Sequence, residues 1–208
     1  MRPQSREEER WNAITHAIAA LMGLLGLFLM LEKVDFNKEW AVFSISTYGA
    51  SIIVLFTAST LYHYSQNDAY KHWYRIVDHS SIYLLIAGTY TPVLLLGLTN
   101  SLGWVLFGIV WGIAGFGIVL KLFFTGRFEI FSTLLYLVMG WLIVFDFTNT
   151  ALFLGPKGVL WLFAGGLFYT VGIIFYAIQK LYFNHVIWHL FVVAGAFCHF
   201  IMVYYYVI

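Results

Sequence analysis

Four polar side chains that can bind metal or transfer protons lie at the ends of long apolar runs: His63, Asp78, His185 and His189. His185 and His189 are four residues apart, so on a helix both imidazoles share one face and can reach one ion. Three imidazoles with one carboxylate form a donor set that suits zinc. Ionisable groups at the edge of a membrane span are costly and usually functional. The pattern therefore indicates a metal site, provided that the fold brings the four residues together.

A catalytic zinc site typically keeps three protein ligands and one position open for water. The metal lowers the pKa of that water, and a neighbouring carboxylate can act as base or position it. Val186 stands where the HExxH motif of soluble zinc proteases has its glutamate, so Asp78 is the candidate base. Ser59 lies one helical turn before His63. Its hydroxyl either bonds a ligand or a bound water, or bonds back to its own helix.

The composition of the chain indicates a bilayer as its solvent. Of 208 residues, 62% are hydrophobic and 10% are charged, whereas soluble domains carry about 25% charged residues. The sequence has no basic stripe of the kind that would indicate a nucleic acid partner. Its single cysteine, Cys198, excludes a disulfide framework. Segments of about 20 apolar residues can span a bilayer. Seven qualify, at 13–31, 41–63, 80–98, 103–122, 131–149, 157–179 and 186–208.

These spans predict an all-α integral membrane bundle of seven transmembrane helices. We expect one domain over 1–208, with 1–12 as a short cytoplasmic N-terminal segment, in a multi-pass protein of the plasma membrane. Lysine and arginine concentrate in cytoplasmic loops. Eight basic residues fall on the N-terminal side of the spans and three on the other: Arg2, Arg6, Arg10, Lys71, Arg75, Lys121, Arg127 and Lys180 against Lys33, Lys38 and Lys157. The N-terminus is therefore predicted in the cytoplasm and the C-terminus outside.

This topology places the four candidate residues at the cytoplasmic ends of their spans, at similar depth. The other polar residues are less informative. His16 lies in the cytoplasmic half of the first span, His72 falls in a polar loop, and His79 points about 100° round the helix from the preceding aspartate. His199, deep in the last span, is expected to be buried and hydrogen-bonded. Asp146, near the outer end of the fifth span, is expected to cap or anchor that end.

Three motifs, in this order and spacing, resemble the bacterial hemolysin III proteins. They are Ser59-Thr-Leu-Tyr-His63, the segment from Asp78 to Pro92, and the segment that begins His185-Val-Ile-Trp-His189. The hemolysin III proteins belong with the progestin and adipoQ receptor family, which includes the adiponectin receptors. The resemblance covers essentially the whole chain.

The resemblance implies a seven-helix protein with a cytoplasmic N-terminus. It implies a zinc ion held by the histidines that map to His63, His185 and His189. It also implies that the aspartate mapping to Asp78 contacts the zinc-bound water. The related alkaline ceramidases, which hydrolyse amide-linked lipids, share the serine that maps to Ser59.

Three functions are compatible with these residues. The leading hypothesis is a ceramidase-like, zinc-dependent hydrolase that acts on the amide or ester of a membrane lipid. The second is a non-catalytic sensor or regulator of membrane lipid state, with a structural zinc. The third is a cytolytic protein or channel. A conducting path would require polar residues along several spans, whereas the fourth and sixth spans have almost none apart from their ends.

Overall fold

The structure is a computed structural model that describes residues 3–208. It is all-helical, and no strand occurs among these residues. In chain order the elements are α1 (Arg6–Lys33), α2 (Ala41–Tyr64), α3 (Asp68–Gly97), α4 (Gly103–Phe124), α5 (Glu129–Trp141), a 3₁₀ segment (Leu142–Asp146), α6 (Phe147–Ala177) and α7 (Asn184–Tyr206).

Helix α1 begins earlier than apolar length predicts. A capping box starts it: the Ser5 hydroxyl accepts from the Glu8 backbone N–H at 3.2 Å, and the Glu8 carboxylate accepts from the Ser5 N–H at 2.8 Å. The predicted N-terminal segment 1–12 is therefore helical from Arg6 onwards. Arg2, one of the basic residues counted above, lies outside the described residues.

Helix α3 also begins early, inside the stretch that was predicted as a polar loop. The Asn67 side chain accepts from the backbone N–H groups two and three residues further on, at 3.1 and 3.3 Å, which starts the helix. His72, predicted in a loop, is an exposed residue of this helix, so that prediction was wrong. Asp78 lies within α3 rather than in front of a span, because the cap rather than the apolar run sets the start of the helix.

Six stretches of the described chain are long and apolar enough to cross a membrane: α1, α2, α3, α4, Glu129–Ala177 and α7. The predicted spans 131–149 and 157–179 both fall in Glu129–Ala177, which has 49 residues, except for the last two residues of the second span. Seven separate spans are therefore not what the helix boundaries show. Within this stretch the backbone leaves the helical conformation at Gly155, with φ 66° and ψ 175°, directly before Pro156.

The two halves of Glu129–Ala177 lie side by side. The Trp141 indole N–H donates to the Thr170 hydroxyl at 3.3 Å, and the Phe147 and Phe163 rings are 5.7 Å apart. In a straight helix the 29 residues between the first pair would separate them by about 44 Å. Each pair is centred close to Gly155, whose positive φ suits glycine. The chain therefore reverses direction there.

The helices pack as neighbours in sequence, and α7 closes the bundle by packing on α6 and α1. The core is formed by large buried side chains such as Tyr48, Phe56 and Met202. At one end of the bundle, the Asp146 carboxylate accepts from the Ser101 hydroxyl at 2.6 Å and from the Leu102 backbone N–H at 3.0 Å. This contact anchors the start of α4 to the 3₁₀ segment, which is the anchoring role expected for Asp146.

Close approach of α3 and α4 depends on a glycine. A Cβ at Gly117 would lie 2.2 Å from Cζ of the fully buried Tyr83. Two residues earlier, a Cβ at Gly115 would meet no atom of the described chain within 4 Å. The two glycines therefore form a matched pair, one in a tight contact and one on the open face of α4.

We expect Gly117→Ala to destabilise the protein by about 1–3 kcal/mol, because the added methyl forces the Tyr83 ring to move in a packed core. Gly115→Ala should be neutral or slightly stabilising, because alanine favours the helix. Thermal unfolding in detergent, followed by circular dichroism, measures both. Equal stability of the two variants would contradict the close α3–α4 contact.

Candidate metal centre

Three histidines from two helices meet at one end of the bundle. His63 lies in the last turn of α2, and His185 and His189 lie in the first two turns of α7. One ligand nitrogen from each falls within 4.8 Å of the others. The ring centroids are 4.6 to 5.1 Å apart, and His63 and His189 are buried. The predicted convergence of these residues is seen, and the group could hold a metal ion.

A carboxylate orients the His63 ring. Nδ1–H of His63 donates to Glu9 at 2.6 Å, and the other Glu9 oxygen accepts from the Lys71 ammonium at 2.7 Å. This leaves the lone pair on Nε2, which is buried without a hydrogen-bond partner in the described chain. Histidine ligands commonly have their second nitrogen held by a carboxylate in this way. The orphaned Nε2 therefore fits a metal ligand.

Helix α1 also supports α7. The His189 Nδ1–H donates to the Asn12 carbonyl at 3.3 Å, so its Nε2 carries the lone pair. The Glu8 carboxylate accepts from the Phe183 backbone N–H at 2.9 Å, directly before α7 begins. The His16 ring stacks on His189, with centroids 3.6 Å apart and 7° between planes. Both ring nitrogens of the buried His16 lack a hydrogen-bond partner among residues 3–208.

The contribution of α1 to the histidine cluster was not predicted from the sequence. Glu9, Asn12 and His16 are spaced i, i+3, i+7, which places them on one helix face. The signal was present, because Ser5-Arg-Glu-Glu8 is a capping-box pattern and extends the helix over Glu9.

Asp78 and Ser59 face the same space as the histidines. Both line one cavity together with His185 and His189, and Asp78 is 9% exposed. Asp78 is not part of the group whose ligand atoms converge. The Ser59 hydroxyl is buried without a partner in the described chain, so it does not bond back to its helix. His79, predicted to point elsewhere, lines this cavity too.

The cavity has a volume of about 160 Å³ and is elongated. It extends from Asp78 and His189 at the polar end to Val93 and Met202 at the other. Thirteen residues of α7 separate His189 from Met202, a rise of about 20 Å. Between the ends the wall is mostly leucine, isoleucine and aromatic side chains. The shape and polarity suit a long apolar chain with a polar head.

An ion-pair network borders the polar end. Glu129 lines the cavity and accepts from Lys121 at 2.8 Å and from Arg75 at 3.3 Å. Lys121 is 1% exposed, and a buried charge needs such a partner. The network joins α3, α4 and the start of α5. The Glu129 carboxylate therefore serves to hold these three helices together.

A helical chain with several membrane-length apolar stretches around a buried histidine cluster defines a multi-pass membrane protein with a candidate metal centre. The family model described as "Haemolysin-III related" matches residues 4–200. The chain belongs to the haemolysin-III related family, and the resemblance found from the motifs is confirmed. The prediction of a multi-pass membrane protein is confirmed with it.

Relatives in bacteria and animals match almost the whole chain. It is 43% identical over 201 residues to a hemolysin-3 homolog of Bacillus subtilis, covering 96% of this chain and 94% of the relative. It is 44% identical over 203 residues to hemolysin-3 of Bacillus cereus, with 97% and 93% covered. The human monocyte to macrophage differentiation factor is 28% identical over 202 residues, with 93% and 82% covered. No solved structure matches the chain.

We expect Glu9→Gln to weaken metal binding about 10- to 100-fold, because the amide cannot hold the His63 ring as the carboxylate does. Titration of metal-free protein with zinc, in competition with a chromophoric chelator, measures the affinity. Glu7→Gln, an exposed acid two residues earlier on α1, is the matched control and should bind zinc as the wild type does. Unchanged affinity in Glu9→Gln would remove the orienting role from Glu9.

Proposed function

We propose that this protein is an integral-membrane, zinc-dependent hydrolase that cleaves the amide or ester bond of a membrane lipid. The observation that carries the proposal is the position of the histidine cluster. His185 and His189, two of the three convergent histidines, line the same cavity as Asp78 and Ser59, at the polar end of an apolar space about 20 Å long. The cavity suits an acyl chain, and its polar end suits the scissile carbonyl.

In this proposal His63, His185 and His189 hold the metal, and their buried nitrogen donors suit zinc. Zinc, when bound, supplies a Lewis acid that lowers the pKa of water and polarises a carbonyl. Asp78 accepts the proton of the attacking water as general base. The Ser59 hydroxyl donates a hydrogen bond to the carbonyl oxygen, where negative charge develops.

The reaction is a simple hydrolysis. The water oxygen forms a bond to the carbonyl carbon, and the carbon–nitrogen or carbon–oxygen bond to the leaving group breaks. The proton taken by Asp78 passes to the departing amine or alcohol. The products are an acyl acid and an amine or alcohol. The apolar wall excludes other water, which strengthens each electrostatic interaction at the reacting carbonyl.

A structural zinc in a lipid sensor is the main alternative. Structural zinc sites usually have four protein ligands, whereas catalytic sites have three and an open position. Asp78 stands apart from the converging nitrogens, which favours chemistry over a closed site. The name hemolysin-3 of the Bacillus cereus relative favours cytolysis as another alternative. Leakage of liposomes by the purified protein after chelation of metal would support that function instead.

We expect Asp78→Asn to keep bound metal but to lower hydrolysis about 10²- to 10⁴-fold, because it removes the base without removing a ligand. His189→Ala should lose both metal and activity. Elemental analysis gives the metal content, and mass spectrometry follows release of fatty acid from ceramide and from phospholipid. His72→Ala, an exposed histidine on α3, is the control and should keep both properties. Full activity of metal-free His189→Ala would refute the zinc-dependent mechanism.

We also propose that the chain crosses the membrane seven times as a single domain, with its N-terminus in the cytoplasm. The stretch Glu129–Ala177 would measure about 74 Å as one straight helix, against a hydrocarbon core of about 30 Å. The contact between Trp141 and Thr170 supports two crossings joined at Gly155. The excess of basic residues on the N-terminal side supports the orientation.

Cysteine labelling tests this topology. In a Cys198→Ala background, Lys157→Cys should react with a membrane-impermeant maleimide on intact cells, because seven crossings place residue 157 outside. Arg127→Cys, in the loop before α5, should react only after the cells are permeabilised. If residue 157 is protected while residue 127 is labelled on intact cells, the orientation is reversed.

A further inference from the structure

A second set of polar groups lies deep in the cavity, away from the histidine cluster. His199 is ten residues beyond His189 on α7, a rise of about 15 Å, and it lines the same cavity. Its side chain is buried, and its Nε2 lies 3.2 Å from the Leu162 carbonyl oxygen. Because a carbonyl only accepts, Nε2 carries the hydrogen and Nδ1 carries a lone pair. This Nδ1 is buried, with no partner in the described part of the chain.

Tyr169 on α6 contributes a hydroxyl to the same region. Its ring centroid is 5.6 Å from that of His199, and it also lines the cavity. Its buried hydroxyl has no partner among the described residues. Both rings are held against glycines. A Cβ at Gly195 would lie 2.9 Å from the Tyr169 ring, and a Cβ at Gly165 would lie 2.4 Å from the His199 ring. The two rings are therefore held in place by packing.

Several other polar side chains that line the cavity have partners. Thr89 and Thr170 donate to carbonyls one helical turn earlier, and Trp141 donates to Thr170. The Tyr90 hydroxyl bonds the Gly140 carbonyl and the Ile143 N–H, each at 3.0 Å. An unpaired polar atom in an apolar environment is costly. The acceptor of His199 and the hydroxyl of Tyr169 are therefore open to a ligand in the cavity.

We infer that His199 and Tyr169 form a second polar subsite, which binds a hydroxyl group in the middle of a lipid acyl chain. The ligand hydroxyl donates to His199 Nδ1 and accepts from the Tyr169 hydroxyl. A methylene satisfies neither atom, and a ketone cannot donate to Nδ1. The inference rests on the proposed function for one point, which is that the carbonyl end of the lipid lies at the histidine cluster. In an extended acyl chain each C–C bond of about 1.5 Å advances the chain by less than its length, because the chain is a zigzag. About twelve carbons therefore cover the distance of about 15 Å.

Competition binding tests the subsite without metal or turnover. Purified, chelator-treated protein is loaded with a fluorescent polyene fatty acid, which is displaced by octadecanoic acid, 12-hydroxyoctadecanoic acid or 2-hydroxyoctadecanoic acid. We expect the 12-hydroxy acid to bind about 10-fold more tightly than octadecanoic acid, because two hydrogen bonds are gained in an apolar site. The 2-hydroxy acid, whose hydroxyl lies near the carboxylate end, should show no such preference.

Two variants localise the effect. Tyr169→Phe removes one oxygen and should reduce the preference for the 12-hydroxy acid to less than 2-fold, with unchanged affinity for octadecanoic acid. His199→Phe should do the same, and Tyr169→Phe decides the outcome if His199→Phe does not fold. Tyr205→Phe, at an exposed tyrosine near the end of α7, should keep the preference.

The inference is overturned if the three acids bind equally, since His199 Nδ1 and the Tyr169 hydroxyl would then form hydrogen bonds with water alone. It is also overturned if Tyr169→Phe retains the preference, or if the wild type binds none of the acids. The proposal of a zinc-dependent hydrolase fails by a different result, namely full activity without metal in His189→Ala. The binding preference would stand in that case, because it is measured without metal.

Discussion

The contact between Glu9 and His63 is the interaction on which the rest of the site depends. A carboxylate in an apolar bundle must be paired to be tolerated, and Glu9 is paired with both His63 and Lys71. The contact joins α1 to α2 and directs the free nitrogen of His63 to the centre. The same helix supplies the Asn12 carbonyl to His189 and stacks His16 on that ring. Helix α1 therefore positions histidines that lie on two other helices.

The bundle satisfies most of its buried polar groups, and several of the side-chain atoms that lack a partner in the described chain lie at the cavity or beside it. Nε2 of His63 and the Ser59 hydroxyl are unpartnered near the polar end, and Nδ1 of His199 and the Tyr169 hydroxyl are unpartnered deeper. By contrast, the Asp146 carboxylate accepts several bonds and serves to hold helices together. In native proteins, buried polar groups are left without hydrogen-bond partners mainly at functional sites.

Apolar length and residue spacing were sufficient to predict a helical membrane protein and the meeting of His63 with the two histidines of α7. They did not predict the roles of Glu9 and His16, because hydropathy marks the apolar part of a helix and not its ends. Caps set those ends, and the cap at Ser5 brings Glu9 into α1. The break between the predicted spans 131–149 and 157–179 does contain Gly155. Apolar length did not identify this residue as the point of reversal, because the backbone departs from the helix there within a continuous helical stretch.

The two polar regions of the cavity are linked by one rigid element. Residues of α7 that line the cavity recur at helical spacing, from His185 and His189 through Val192 to His199 and Met202. The rise of a helix is constant at about 1.5 Å per residue. The distance from the clustered histidines of α7 to His199 is therefore set by residue count and not by flexible loops. A lipid whose carbonyl lies at the histidine cluster would have its chain measured along α7, so the position of a polar group on the chain, more than its presence, would decide the fit.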